Sequence, residues 1–267
     1  MEIGPQYLMP FNKNIIKEKE LSIQVHIDGL FFCTHSSQLF IDNDSPPIKT
    51  DSTFKKILED NSLLDFRRVN CIYFNQPATF VPTPLYDSSR KENYVKQNIS
   101  LDAKLKITCD DTLDKEIKIL HQVHSREKEL LMQLYKNIKF THFTKIIYDY
   151  LSKLVKSDSG IVMYLHLQDK FFDVMVFDGQ KLLFYNSYNY KYEEDFLYYS
   201  LAVAEELSLN PEEFSIIFLG KFNRYNAYYK ALENYQEKLK YIDDGSCKFE
   251  FRACSHVISF PCICRCR

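Results

Sequence analysis

Two histidines in similar sequence surroundings are the residues of this chain best suited to chemistry. His26 and His166 each end an apolar run, and residues 26–32 and 166–172 are similar at four of seven positions with a constant offset of 140. An imidazole can bind a metal or act as a general acid or base near neutral pH. If the two segments are halves of a duplication, both rings would face one interdomain cleft. The alternative is that each is a structural residue beside a strand end.

A second group of potential ligands lies near the C-terminal end of the sequence. Its five side chains are Cys254, His256, Cys262, Cys264 and Cys266. Alternate thiols of an extended strand share one face, and thiolate and imidazole are ligands that zinc prefers. However, Cys-x-Cys is not the usual zinc-knuckle spacing, and no second matched pair occurs. A reduced, partly exposed tail is therefore the interpretation we favour over a metal site.

Motifs for nucleotide binding and nucleophilic catalysis are missing from the sequence. It contains no Gly-rich loop of the P-loop or dinucleotide type, and no Gly-x-Ser-x-Gly turn. The sequence therefore predicts no catalytic residue and no cofactor. Any chemistry would have to come from side chains that the fold brings together.

Short apolar runs separated by tight breaks indicate the elements that position these side chains. Runs at 161–167 and 171–177, with a third after Asp178-Gly179, predict a three-stranded meander, because Asp-Gly is a strong hairpin signal. An amphipathic helix and an apolar run at 216–219 follow. The same order begins near residue 21, which predicts two ribonuclease-H-like half-domains. The alternative is a single α+β domain with two unrelated hairpins.

The composition is typical of a globular protein and excludes some classes of partner. Of 267 residues, 45% are hydrophobic and 26% charged, and the formal net charge of −2 gives no overall attraction to nucleic acid. The first 20 residues lack the apolar region of a signal peptide, and no run approaches the roughly 18 apolar residues of a membrane span. We therefore expect a cytoplasmic protein that does not bind nucleic acid and does not insert into a membrane.

Four patches carry a resemblance to a known family: residues 79–82 with Leu85 and Tyr86, residues 181–187, residues 195–199, and Gly220 after its strand. They resemble a bacterial family of unknown function whose members have an actin-like ATPase fold, similar in architecture to FtsA and PilM. The resemblance covers about residues 21–240. It implies an α/β fold of duplicated ribonuclease-H-like domains, with mixed sheets flanked by helices. It implies no activity.

The same patterns predict the domain organisation. An N-terminal arm spans residues 1–20, the first half 21–157, the second half 158–253 and a Cys-rich tail 254–267. The boundary between the halves is placed in a polar loop that ends at Gly160 and follows a helical pattern of apolar residues.

The resemblance also implies where a nucleotide would bind, and there the sequence departs from the pattern. Actin-like ATPases carry an Asp-x-Gly turn in each half, in which the Asp helps to hold a hydrated metal and the Gly lets backbone N–H groups approach the phosphates. Neither half has this turn when the two meanders are aligned on their histidines, and the later Gly-Gly pair is half present. The degenerate positions are His26, Asp28, His166, Gln168, Gly220 and Lys221.

These departures predict a protein of uncharacterised function that acts as a non-catalytic scaffold or adaptor. The alternative is a divergent ATP-binding protein, an ATPase or small-molecule kinase with a rebuilt phosphate site. Such an enzyme would use Asp28, Asp173 or Lys221 in altered roles.

An adaptor needs a partner, and two places are candidates for binding one. PilM-type relatives bind a partner's peptide between their lobes, so the resemblance implies a peptide site in the interdomain cleft. The tyrosine-rich connection at 186–192 combines aromatic and adaptable polar residues, which are common in protein interfaces. It predicts a partner surface at Tyr188, Tyr190 and Tyr192, and that at least one of the first two is partly exposed. The alternative is that two of these rings cap the sheet.

Overall fold

The computed structural model describes residues 20–26, 29–33, 38–42, 51–74, 77–154, 160–168, 171–219 and 222–241. The chain separates into two compact units, one of residues up to Ile146 and one from Ile147 onward. This division falls inside a helix that runs from Phe143 to Leu154, and the predicted boundary between residues 157 and 158 lies outside the described residues.

The first unit begins with three strands and continues with alternating helices and strands. In chain order the elements are β1 (Glu20–Val25), β2 (Gly29–Cys33), β3 (Gln38–Asp42), α1 (Asp51–Asp60), β4 (Arg68–Tyr73), β5 (Ala78–Pro82), α2 (Lys91–Lys96), β6 (Leu105–Asp111), β7 (Ile117–His124), α3 (Ser125–Leu134), β8 (Ile138–His142) and α4 (Phe143–Leu154). Two short 3-10 turns, Thr83–Leu85 and Ser88–Arg90, lie between β5 and α2.

The second unit repeats the opening order of the first. Its elements are β9 (Ile161–Leu167), β10 (Phe171–Asp178), β11 (Lys181–Asn189), α5 (Glu193–Glu206), β12 (Ser215–Leu219), α6 (Phe222–Glu233) and β13 (Leu239–Tyr241). Gly179 opens the two-residue loop between β10 and β11 with a φ of 50°, a backbone conformation that glycine adopts without strain.

The two five-stranded sheets have the same topology. Their strand orders are β3-β2-β1-β4-β8 and β11-β10-β9-β12-β13. In each sheet the first strand is central, pairs antiparallel with the second strand and parallel with the strand that follows the helix. This confirms the predicted α/β architecture of two duplicated ribonuclease-H-like halves.

The core of the second unit forms because alternate residues of its strands point toward α5. Phe172, Val174 and Val176 of β10 pack with Phe196 and Val203 of the helix. Burying a large apolar side chain contributes about 1.5–3 kcal/mol, so this packing contributes strongly to the stability of the unit. The opposite face of β10 is also buried, and Asp173 lies there among Phe171, Met175 and Phe177.

The first unit carries an addition, a three-stranded antiparallel sheet in the order β5-β7-β6. In the sequence, residues 79–82 and 117–123 predict the strands β5 and β7, whereas the polar residues 86–112, which contain β6, predict no element. In the part of the chain that the structure describes, no helix is long and apolar enough to cross a membrane.

Candidate functional site

The hairpins that begin the two halves align through equivalent backbone hydrogen bonds. In the β1–β2 hairpin, His26 N–H donates to the carbonyl of Gly29 at 2.8 Å, and in the β9–β10 hairpin, Gln168 N–H donates to Phe171 at 3.0 Å. His26 is therefore equivalent to Gln168, and Gly29 to Phe171. The similarity that pairs His26 with His166 is two residues out of register, because it rests on residue types that are common in any strand.

In this register each hairpin keeps a different part of the Asp-x-Gly turn. The first hairpin reads Ile27-Asp28-Gly29, with the glycine but without the leading aspartate, and residues 169–171 of the second read Asp-Lys-Phe. Phe171 is buried, at 6% exposure, where Gly29 stands in the other half. The two loop residues of each turn, Asp28 among them, lie outside the described residues.

His26 is held by its neighbours at the end of β1. Its ring stacks on Phe74 with centroids 4.6 Å apart, and its Nε2 lies 3.3 Å from Oε1 of Gln24. The side chain is 8% exposed. These contacts fit the structural alternative for this histidine, since packing and a hydrogen bond already account for its position.

His166 belongs to a polar row that crosses three adjacent strands of the second unit. Asp173 of β10 is directly opposite His166 of β9 on one side and Ser187 of β11 on the other. Side chains of directly paired residues project from the same face of a sheet, so all three meet. His166 and Asp173 are 1% and 0% exposed, and Ser187 is half-buried at the sheet edge.

Both oxygens of Asp173 accept hydrogen bonds from neighbouring side chains. Its Oδ2 accepts from Nδ1 of His166 at 3.1 Å and from Nε2 of Gln168 at 3.4 Å. Its Oδ1 accepts from the hydroxyl of Tyr185 at 3.1 Å and from that of Ser187. A carboxylate offers about four acceptor positions, so four donors fill them.

This row does not have the geometry of a serine nucleophile. In a catalytic triad the histidine lies between the serine and the carboxylate and takes the hydroxyl proton. Here Asp173 is central, and Ser187 donates to the carboxyl group rather than to His166. The row fixes the ring orientation of His166 without activating a hydroxyl.

The first half has no equivalent of the row. The positions of His166 and Asp173 are occupied in the first half by Gln24 of β1 and Phe31 of β2, which are paired in the same way. Phe31 is also paired with Phe40 of β3. The fold therefore accommodates a buried phenylalanine at the position that Asp173 occupies in the second half. The carboxyl group at residue 173 is a property of the second half and not a requirement of the architecture.

A second polar cluster, which sequence analysis does not identify, lies in the first unit around Asp110 of β6. Its Oδ2 accepts from the backbone N–H of His142 at 2.7 Å and from the hydroxyl of Thr141 at 3.2 Å, and lies 3.6 Å from Nε2 of His121. Burial raises the pKa of Asp110, but these contacts outweigh it and the pKa lies below its ordinary value. The cluster joins the three-stranded sheet to the end of β8, which indicates a structural role.

Glu127, in the first turn of α3, is the carboxyl group of the first unit with the most unusual environment. Its Oε1 is inaccessible and has no hydrogen-bond partner. Burial raises its pKa to about 7 from 4.5. It acts electrostatically on Cys71 and Tyr73 of β4, and burial raises the pKa of both of those groups as well.

The three tyrosines of the predicted partner surface differ in their packing. Tyr188 stacks on Tyr199 with centroids 4.6 Å apart, and Tyr190 makes an edge contact with Phe172 at 5.8 Å. Both are partly exposed, as predicted, yet both pack against the core of the second unit. Tyr192 is 58% exposed. The contacts of the first two fit the alternative that they cap the sheet.

Several candidate residues belong to segments that the structure does not describe. Asp28, Gly220, Lys221, and the cysteine and histidine candidates of residues 254–266 lie outside the described residues. Among the residues that the structure does describe, no group of three or more His, Cys, Asp or Glu side chains could hold a metal ion.

Comparisons with known proteins identify a family and a solved structure with a similar fold. The profile of a family described as "Protein of unknown function (DUF3822)" matches residues 9–239. A Bacteroides thetaiotaomicron protein with actin-like ATPase fold and unknown function is similar over 88% of this chain and 94% of its own, with a TM-score of 0.75 and 18% identity. No curated protein matches the sequence.

Two further solved structures are more distant. The PilM-PilN type IV pilus biogenesis complex is similar over 84% of this chain and 88% of its own, with a TM-score of 0.49 and 9% identity. The apo psk41 ParM protein covers 84% of this chain and 92% of its own, with a TM-score of 0.33 and 11% identity. Among the solved structures named here, the Bacteroides protein is the one that supports the actin-like fold.

Proposed function

The chain belongs to the DUF3822 family of proteins of unknown function, and we propose that it is a non-catalytic scaffold or adaptor with an actin-like fold and a degenerate nucleotide site. The observation that carries this proposal is the division of the phosphate-binding turn between the two hairpins. Gly29 stands in one and a buried phenylalanine, Phe171, in the other.

The phenylalanine matters because phosphate binding at such a turn depends on close approach of backbone N–H groups. A glycine leaves room for a phosphate oxygen, whereas any larger side chain occupies that space. In the first hairpin the glycine is present, but Ile27 replaces the aspartate that would hold the hydrated metal. Each half therefore lacks one of the two groups that act together on a metal–nucleotide complex.

The environment of Asp173 also argues against the enzyme alternative. A carboxylate that holds Mg²⁺ directly or through water needs a free lone pair directed at the ion. The oxygens of Asp173 already accept from four side chains of its own unit. Recruiting it to a metal would require breaking at least one of these bonds in a fully buried place.

The test is isothermal titration calorimetry of the full chain with ATP and Mg²⁺, together with a phosphate-release assay. We expect no heat of binding up to about 1 mM nucleotide, which means a binding free energy weaker than about −4 kcal/mol. We also expect no hydrolysis above the rate in buffer alone. Micromolar binding would contradict the degenerate site and favour the alternative of a divergent ATPase or small-molecule kinase.

The proposal includes a protein partner in the cytoplasm. The place we propose for it is the tyrosine-rich segment Tyr188–Tyr192, at the end of β11 and just after it. Tyr192 is the strongest of the three tyrosines for such a contact, because its side chain is exposed while the other two pack on the core.

A further inference from the structure

Helix α5 has an exposed face on which carboxylates surround apolar side chains. Residues four, seven, eight and eleven positions after Glu194 lie on the same side of the helix, so this face consists of Glu194, Tyr198, Leu201, Ala202 and Glu205. We call it the α5 strip. Both glutamates are exposed, Tyr198 is 67% exposed, and Leu201 and Ala202 are half-buried. The strip spans about 16 Å along the helix axis.

The ring of Tyr198 is held in place although it is exposed. It makes an edge contact with Tyr199 at 5.3 Å, and Tyr199 stacks on Tyr188 at 4.6 Å. Tyr188 in turn contacts Phe172, which is fully buried. An aromatic ring that already packs against its neighbours loses little conformational entropy when a partner covers it. Aromatic residues with this property are common among those that contribute most to binding affinity.

The charges of α5 all have one sign. Its charged residues are Glu193, Glu194, Asp195, Glu205 and Glu206. Asp195 is used by the helix itself, because its Oδ2 accepts from the backbone N–H groups of Lys191 and Tyr192 at 2.9 and 3.1 Å. The negative residues of the first turn also favour the helix dipole.

The acidic residues at the other end of α5 have no such explanation. Glu205 and Glu206 lie in the last turn, where the helix dipole disfavours negative charge, and that turn contains no basic residue. Within the described part of the chain, neither one forms an ion pair, nor does Glu194. The strip thus presents uncompensated negative charge at both ends of an apolar centre.

From this charge pattern we propose that the α5 strip binds an arginine-bearing segment of a partner protein. The inference deepens the adaptor function proposed above and rests on it. A guanidinium group can stack on the face of Tyr198 and donate two parallel hydrogen bonds to a carboxylate, which the ammonium group of lysine cannot do. Arginines spaced to reach Glu194 and Glu205 would place the intervening apolar residues of the segment over Leu201 and Ala202.

The test uses fluorescence anisotropy with defined peptides and the full chain. The probe is a fluorescein-labelled, sixteen-residue helical peptide of alanine and glutamine, with arginines at its third, seventh and fourteenth positions, and the comparison peptide has lysines there. The protein variants are Tyr198→Ala and Glu194→Gln/Glu205→Gln. The matched control is Glu212→Gln/Glu213→Gln, which removes the same charge from an exposed pair outside the strip. Melting temperatures show whether each variant remains folded.

We expect each strip variant to weaken binding of the arginine peptide by about fivefold, and the lysine peptide to bind the unmodified chain about threefold more weakly. The control should stay within about twofold of the unmodified chain. Equal losses in the control and strip variants, equal binding of both peptides, or no binding at about 1 mM would each overturn the proposal. Nucleotide binding in the calorimetric test would overturn the adaptor function separately, without altering this result.

Discussion

Asp173 is fully buried, and its two oxygens accept four side-chain hydrogen bonds. The donors are His166 of β9, Gln168 just after that strand, and Tyr185 and Ser187 of β11. Replacing it with asparagine turns one acceptor into a donor that faces other donors. Leaving buried polar groups unsatisfied in this way costs about 2–4 kcal/mol. We expect Asp173→Asn to lower the melting temperature by roughly 5–10 °C.

The matched control is Asp178→Asn, at the exposed end of the same strand. It makes the same chemical change in water, where the amide can hydrogen-bond freely, and should shift the melting temperature by less than about 2 °C. A change of similar size in both variants would mean that the hydrogen bonds of Asp173 contribute little to stability.

The raised pKa of Glu127 makes the stability of the protein depend on pH. Its carboxyl group has a pKa of about 7 in the folded chain and about 4.5 when unfolded. The stability that this group contributes is fully present below pH 4.5 and is lost as the pH rises through 7, because the folded state must then bury a charge. Glutamine carries no charge at any of these pH values.

We therefore expect Glu127→Gln to melt at a higher temperature than the unmodified chain at pH 8, by roughly 3–6 °C, with the difference shrinking steadily toward pH 4.5. The control is Glu129→Gln on the same helix, whose side chain is 60% exposed. A difference that stays constant across the pH range would show that Glu127 does not titrate as its surroundings indicate.

Strand register limits how much of the polar row can be predicted from the sequence. His166 is recognisable from sequence as a histidine that ends an apolar run, and Asp173 as a charge inside another such run. Their pairing with each other and with Ser187 depends on which residues are opposite across two hairpins. A shift of one residue in the strand register would move every side chain of a strand to the other face of the sheet. The sequence therefore identifies the residues but does not predict that they contact one another.

At the scale of single elements, periodicity predicts most of the helices and strands and fails at β6. Strands β9 and β10 are apolar at nearly every position because both of their faces are buried. Residues of α5 pack on one face of β10, and Tyr148 of α4 contacts Phe177 on the other. In β6, Leu105, Ile107 and Cys109 alternate with polar residues, but its burial pattern contains no fully buried position. It forms a strand because it pairs with β7. That pairing depends on residues distant in the sequence, so the local composition of β6 does not predict it.

Two tyrosines, Tyr188 near the end of β11 and Tyr190 just after it, give a prediction at this scale. Tyr188 and Tyr190 pack against Phe172, and Tyr190 also makes an edge contact with Tyr228 of α6 at 5.3 Å. Removing both rings takes away the contact of Tyr188 with Tyr199 of α5 and that of Tyr190 with Tyr228 of α6. We expect Tyr188→Ala/Tyr190→Ala to lower the melting temperature by roughly 5 °C or more, a loss of about 2 kcal/mol or more.

The control for this pair is Tyr192→Ala, at an exposed position where the side chain packs on little of the core. It should leave the melting temperature within about 2 °C. If the double variant melts as the unmodified chain does, the two rings contribute to a surface, as sequence analysis predicts, rather than to the cap of the sheet.

At the scale of the whole molecule, element order is a better guide than residue similarity. The repeated succession of meander, helix and strand predicts the duplication, and the two sheets have the same strand order. The seven-residue similarity that accompanies it is out of register by two positions. Topology is set by many short patterns at once, whereas a few matching strand residues recur by chance, and only the backbone hydrogen bonds fix which residue is equivalent to which.

The duplication also bears on how the molecule unfolds. The main hydrophobic clusters of the two units share no residue. All four donors to Asp173 belong to the second unit. Loss of these bonds should therefore lower the free energy of opening of β9, β10 and β12 while leaving the amides of β1 and β4 protected as before. Native-state hydrogen exchange of Asp173→Asn checks this strand by strand. Exchange that accelerates equally in both sheets would contradict it, since the two cores would then open as one cooperative unit.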